Sequence, residues 1–105
     1  MSSLAARFSQ TPSEVKRYLL DYTLFVSPGE AVVSVAAEVT ALSTPPEGSP
    51  DLVVTNIALG PGGLQALYFI SGGADGVSYE VDFKATTSIG QVLEDVVQYD
   101  IAVKT

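Results

Sequence analysis

Apolar and polar residues alternate along much of the chain, with the period of two that is typical of half-buried β-strands. The clearest run follows the glycine-rich segment at residues 71–76, and its apolar positions are Val77, Tyr79, Val81, Phe83 and Ala85. A similar run closes the chain, with apolar positions at Val97, Tyr99, Ile101 and Val103. We predict two strands here, with these side chains facing the core.

The alternation of apolar and polar residues before residue 71 predicts further strands. In the first alternating run, one face is apolar and consists of Tyr18, Leu20, Tyr22, Leu24 and Val26. Ser27-Pro28-Gly29-Glu30 then fits a type II turn, which favours proline and glycine at its central positions. In the next strand, the side chains predicted to point inward are Val33, Val35, Ala37 and Val39. Another strand, LVVTNIALG, is predicted to share one face among Val53, Thr55, Ile57 and Leu59.

The strand LQALYFIS, at residues 64–71, is apolar on both faces. Such a strand is expected to be covered on both sides. One face would pack on the core, and a partner or the N-terminal segment would cover the other. We therefore predict Leu67 and Phe69 as partner-binding residues.

Tyr79 lies at the head of the clearest strand, just after the turn that contains Gly76. Immunoglobulin-like domains place a tyrosine corner near such a position, where the hydroxyl bonds to nearby backbone. The alternative is a core tyrosine with its hydroxyl at the rim. The turn residues favour the corner, so the predicted structural residues are Gly72, Gly73, Gly76, Tyr79 and Gly90.

The strands are separated by closely spaced turn signals with no long helix between them, which is typical of an antiparallel sandwich or small barrel. A chain of 105 residues is enough for one domain. We predict an all-β fold, an immunoglobulin-like antiparallel β-sandwich of about seven strands at residues 17–105. Residues 1–16 are predicted to form an N-terminal docking arm, with a possible helical turn in SLAARF and a short helix near residues 12–17.

Charge is unevenly distributed along the chain. The net charge is −7, but residues 1–17 carry a local balance of +2. A basic arm can dock onto the acidic body of a neighbour, although an ordinary terminus is the alternative. The predicted partner-binding residues of this region are Leu4, Arg7, Phe8, Lys16 and Arg17. Leu4 and Phe8 would either pack on the chain's own sandwich or insert into a partner.

Composition excludes several function classes. The chain has no histidine or cysteine, which removes Ser-His and Cys-His nucleophilic systems and most transition-metal sites. Glu80, Asp82 and Asp75 lack the dense spacing of a calcium loop, so a solvated acidic face is favoured. The negative net charge disfavours nucleic-acid binding. The sequence has no apolar run of about 18 residues, the length that would predict a membrane span. We predict no catalytic residue, metal or cofactor.

The segment SGGADGVSYEVDFKATTSIGQ carries a family resemblance. Its Ser-Gly-Gly-x-x-Gly-x-x-Tyr pattern is followed by Thr-Thr-Ser-x-Gly at residues 86–90. With the earlier EVKRYLLDYTLFVSPGE, it resembles the small immunoglobulin-like structural proteins of tailed bacteriophages, of the fibre–tail adaptor type. The resemblance spans roughly residues 14–103. It implies a non-enzymatic virion protein that is assembled in the host cytoplasm.

Three functions remain open at this point. The first is an adaptor that joins tail, fibre or neck components, with self-association in a symmetric assembly. The second is a capsid decoration protein that stabilises the head lattice. The third, more remote, is a carbohydrate-binding module, but the chain has no tryptophan and its tyrosines are mostly predicted to face inward.

Overall fold

The computed structural model describes the backbone of residues 4–103 and the side chains of residues 6–103. The described part contains seven strands, one 3-10 turn at Pro61–Gly63 and no α-helix. The strands are β1 (Leu4–Gln10), β2 (Val15–Asp21), β3 (Val32–Ala41), β4 (Leu52–Leu59), β5 (Gln65–Gly72), β6 (Ser78–Thr87) and β7 (Val92–Ile101).

The strands form two sheets, with the orders β1-β7-β6-β3 and β2-β5-β4. The prediction of an all-β sandwich is confirmed. One pair departs from the predicted antiparallel arrangement, because β1 runs parallel to β7. The orders β7-β6-β3 and β2-β5-β4 correspond to strands G-F-C and B-E-D of an immunoglobulin constant domain. The immunoglobulin-like part of the assignment stays a prediction.

Inward side chains of β5, β6 and β7 build most of the core. The five apolar positions predicted at residues 77–85 are all buried, which confirms the alternation in β6. Tyr68 and Tyr99 meet across the two sheets with their hydroxyls 2.8 Å apart, so each buried hydroxyl has a partner. Val103 is wrong as an inward position, because β7 ends at Ile101 and Val103 is exposed.

The helices predicted near the N-terminus are wrong. Residues 4–8 of the SLAARF segment belong to strand β1, and residues 15–17 belong to β2. Gln10 fixes this segment, since its side-chain amide donates to the carbonyl of Ile70 at 2.7 Å and its side-chain oxygen accepts from the Tyr18 hydroxyl at 2.8 Å. Residues 4–10, predicted as part of an arm, are thus an edge strand of the four-stranded sheet.

The end of strand β2 corrects one predicted face. The strand that carries Tyr18 and Leu20 ends at Asp21, so the alternation does not continue to Leu24, which is 91% exposed. The predicted type II turn after it is confirmed, because the Glu30 N–H donates to the Ser27 carbonyl at 2.9 Å and Gly29 has a φ of 85°.

β-Bulges correct two other faces. The register of β3 shifts between Val32 and Ser34, so Val32 is buried and Val33, predicted inward, is exposed. β4 shifts between Thr55 and Ala58, around Asn56 with its φ of 53°. Because a bulge adds one residue, it breaks the period-two reading of a face.

Tyr79 and two glycines hold the corner between β5 and β6. The Tyr79 hydroxyl accepts a hydrogen bond from the Ala74 N–H at 2.8 Å, the backbone contact that the tyrosine-corner prediction requires. Gly72 and Gly73 have φ values of 75° and 93°, and a Cβ at Gly73 would lie 2.9 Å from the Ile101 side chain. Gly76 and Gly90 also have positive φ but lie in open turns.

Candidate partner-binding faces

The outer face of the three-stranded sheet carries a cluster of apolar side chains. Strand β5 lies at its centre, between β2 and β4. Since Ala66, Tyr68 and Ile70 point into the core, the alternate residues of β5 point outward. We call this outer surface the apolar face, and its apolar side chains are Val15, Leu19, Val53, Leu67 and Phe69.

The cross-strand register brings these side chains together. Leu19 pairs with Leu67, which pairs in turn with Ala58, so one row across the sheet is wholly apolar. Within the described residues, no strand packs over these rows. Leu19 is 48% exposed and Val53 is 43% exposed, whereas Leu67 and Phe69 at the centre are half-buried by their neighbours.

Arg17 is the cation of the apolar face. It lies in the cross-strand row that continues through Phe69 to Thr55. In the described part of the chain, the Arg17 side chain forms no hydrogen bond or ion pair. Its guanidinium is therefore available to a partner beside the apolar side chains of this face, and arginine is enriched in protein interfaces.

The outer face of the four-stranded sheet has the opposite character. We call it the acidic face, and its carboxylates are Glu38, Glu80, Asp82, Glu94 and Asp100. The hydrogen bond with Glu94, followed by desolvation, raises the pKa of Asp82. Hydrogen bonds from Arg7, Ser78 and Gln98 instead lower the pKa of Asp100 to about 2.

The predicted partner-binding residues do not form one surface. Arg17, Leu67 and Phe69 share the apolar face, but Arg7 lies on the acidic face, where its guanidinium is 2.6 Å from Asp100. Lys16 is 3.3 Å from the Glu14 carboxylate. The Leu4 side chain lies outside the described residues.

Phe8 lies at a third place, the side of the sandwich where β1 and β2 are the edge strands of the two sheets. Its ring centroid is 4.8 Å from that of Tyr18 and 5.8 Å from that of Tyr99. The ring therefore packs on the chain's own core, although it is still 40% exposed. Of the two uses predicted for Phe8, the intramolecular one is present, and insertion into a partner stays a prediction.

The sequence reading missed Leu19 and Val15 as parts of the apolar face. Their signal was present, since both alternate with the inward Tyr18 and Leu20. The reading also missed the opening beside Phe8, because it is assembled from residues far apart in the chain, such as Phe25 and Asp95.

The described residues contain no group of three or more acidic side chains arranged to hold a metal ion. Among them there is also no helix of the length and apolarity that a membrane crossing requires. The described residues form three surface features: an apolar face with one cation, an acidic face and an opening between the sheets.

Comparison with known proteins agrees with a role built on surfaces. A search of curated proteins finds no match. The family model Gp77, described as podophage GP4 fiber-tail adaptor protein gp77, matches residues 10–99. This match covers most of the 105 residues, from the end of β1 through nearly all of β7, and the chain belongs to this family of phage fibre–tail adaptors.

Proposed function

We propose that the chain joins components of the phage tail by docking its apolar face onto another virion protein. The family supports a non-enzymatic adaptor role in the virion, with other virion components such as fibre and tail as partners. The single observation that carries the docking surface is the central strand β5, whose outward Leu67 and Phe69 have no described strand above them. Apolar patches of this kind mark interaction sites on soluble proteins.

The physical logic is that of an interface with an apolar centre and a polar rim. Leu67 and Phe69 lie on the middle strand, so a partner would exclude water from them first. Val15 and Leu19 on β2 and Val53 on β4 extend the contact to both sides. Asp21 and Gln65 pair at one end of the sheet and provide polar groups for the rim.

The composition of the two faces also bears on the other proposed properties. The acidic face repels phosphates, which supports the absence of nucleic-acid binding. Self-association is proposed through the apolar face or the sandwich edges, since two acidic faces would repel each other. Assembly in the host cytoplasm is proposed as part of the same virion role.

The tail adaptor is favoured over the other two functions weighed from the sequence. The family concerns fibre–tail adaptors, which supports a tail position rather than capsid decoration. For carbohydrate binding through tyrosine platforms, the tyrosine rings would need to lie open on a surface. Four of the five tyrosines are instead buried: Tyr22, Tyr68, Tyr79 and Tyr99.

The docking surface is tested by complementation of a phage that lacks the gene for this chain. A Leu67→Ser/Phe69→Ser double variant is expected to lose at least about tenfold in copies per purified particle, because its central apolar contacts are removed. Copies are counted by mass spectrometry against the major capsid protein. Thermal unfolding of the isolated variant checks that the sandwich still folds.

The matched control is Val96→Ser, which removes a half-buried apolar side chain from the outer face of β7 in the four-stranded sheet. This variant is expected to enter particles at the wild-type level. Equal incorporation of the double variant and the control, with both folded, would overturn the apolar face as the docking surface.

A further inference from the structure

An apolar cavity of about 300 Å³ opens between the two sheets on the side where β1 and β2 are the edge strands. Its deeper walls come from the inward side chains of both sheets, and its mouth carries large side chains that are exposed. The lining apolar residues are Ala6, Phe8, Leu19, Leu20, Phe25, Tyr68 and Val97. Phe8, Leu19 and Phe25 are 40%, 48% and 59% exposed, so the apolar surface continues from the cavity to solvent.

Two carboxylates line the cavity, and Asp95 is the more buried of them. Asp95 lies on β7 and is half-buried. In the described part of the chain, its carboxylate has no hydrogen bond and no ion pair. Desolvation raises the pKa of Asp95. Together with burial, the Asp95 charge raises the pKa of Tyr22 to about 12, so its field reaches the core.

An unpaired carboxylate in an apolar cavity is costly unless a cation accompanies it. The cations among the described residues are placed elsewhere. Arg7 pairs with Asp100 on the acidic face, and Lys16 pairs with Glu14. Arg17 points outward from the apolar face, and Lys84 points outward from β6. Asp21, the second carboxylate of the lining, accepts bonds from the Thr23 N–H and hydroxyl, so Asp95 is the one left without a donor among the described residues.

We propose that this cavity binds an arginine side chain presented by a second virion protein. The apolar walls cover the methylene stem, and the guanidinium donates to the Asp95 carboxylate. The exposed rings of Phe8 and Phe25 at the mouth provide faces on which a planar guanidinium stacks. A lysine would pair with the carboxylate as a point charge but would gain less from the rings.

This inference rests on the adaptor role, since it supposes a partner in the particle, but it does not rest on the apolar face. The cavity and the centre of that face are separate, and they share only the margin formed by Leu19 and Asp21 on β2. The two surfaces would give an adaptor two contacts of different chemistry.

The proposal is tested with the full chain by ¹H–¹⁵N NMR titration with N-acetyl-arginine amide. The comparison probe is N-acetyl-citrulline amide, which has the same shape without the charge. Saturable shifts are expected at the amides of Ala6, Leu20 and Val97 with the arginine probe only. In Asp95→Asn, affinity for this probe is expected to fall about tenfold or more, the loss of a hydrogen bond to a charged group.

Asp51→Asn is the matched control, because it makes the same change at an exposed residue outside this cavity, and it should bind as the wild type does. Phe69→Ser should also bind the probe normally, which separates this proposal from the docking surface. Equal binding of citrulline or lysine amide, or shifts centred on the acidic face, would overturn the proposal, and so would the absence of saturation.

Discussion

Each outer face of this sandwich is formed by the alternate side chains that point away from the core, but the two faces have opposite chemistry. On β5, the central strand of the three-stranded sheet, the outward side chains include Leu67 and Phe69. On β6, in the interior of the four-stranded sheet, they include Glu80, Asp82 and Lys84. Both strands bury their alternate positions equally well, so the difference is not needed for the fold.

The difference indicates that the residues that fold this chain are distinct from the residues available for binding. The core is already filled by the inward side chains, and neither outer face contributes to it. Apolar surface left outward gains about 25 cal/mol per Å² only when a partner buries it. Carboxylates on the opposite face keep the molecule soluble and discourage stacking of copies through that face.

Removing one cation from each face is expected to give the largest difference between the two faces. Arg17→Gln is expected to lower incorporation into particles about fivefold, or ~1 kcal/mol of binding, because Arg17 lies among the apolar side chains with no partner of its own in the described residues. Copies per particle provide the measurement. Lys84→Gln makes the same change on the acidic face and should not alter incorporation, and an equal loss in both variants would contradict the assignment.

The carboxylates of the acidic face are expected to lower the free energy of unfolding. Glu94 and desolvation raise the pKa of Asp82, so the folded state binds its proton more tightly than the unfolded state. The free energy of unfolding should therefore fall as pH rises from the ordinary aspartate pKa through the raised one. Asp82→Asn is expected to be more stable than wild type at pH 7, by urea unfolding, with unchanged incorporation. A loss of incorporation would mean that this face docks a basic partner.

The smallest effect is expected at the Arg7–Asp100 pair. Arg7 is 63% exposed, so Arg7→Gln should cost less than about 1 kcal/mol at pH 7. The pKa of Asp100 is lowered to about 2, so this contribution is present above the ordinary aspartate pKa and is lost as pH falls through about 2. Urea unfolding of both proteins from pH 7 down to pH 2 checks it, and a difference that does not shrink would contradict it.

Local pattern predicted much of the fold because β6 and β7 alternate without interruption. Val81 and Phe83, predicted inward, are completely buried. The reading failed where a bulge or a strand end shifted the period, as at Val33 and Leu24. A bulge depends on the partner strand, which a local pattern does not identify.

The candidate site was predicted only in part. Leu67 and Phe69 followed from a strand that is apolar on both faces. The parallel pairing of β1 with β7 was not foreseen, since it joins the two ends of the chain. The cavity around Asp95 depends on the same pairing, so local pattern did not single out this residue.

The central claim is that the adaptor binds through its apolar face and leaves its acidic face to solvent. Hydroxyl-radical footprinting of the chain, free and in purified particles, tests this without any substitution. We expect strong protection of Leu19, Leu67 and Phe69 in the particle, with Val96 on the opposite outer face reacting as in the free chain. Protection of Val96 with continued reaction at Leu67 and Phe69 would contradict the account.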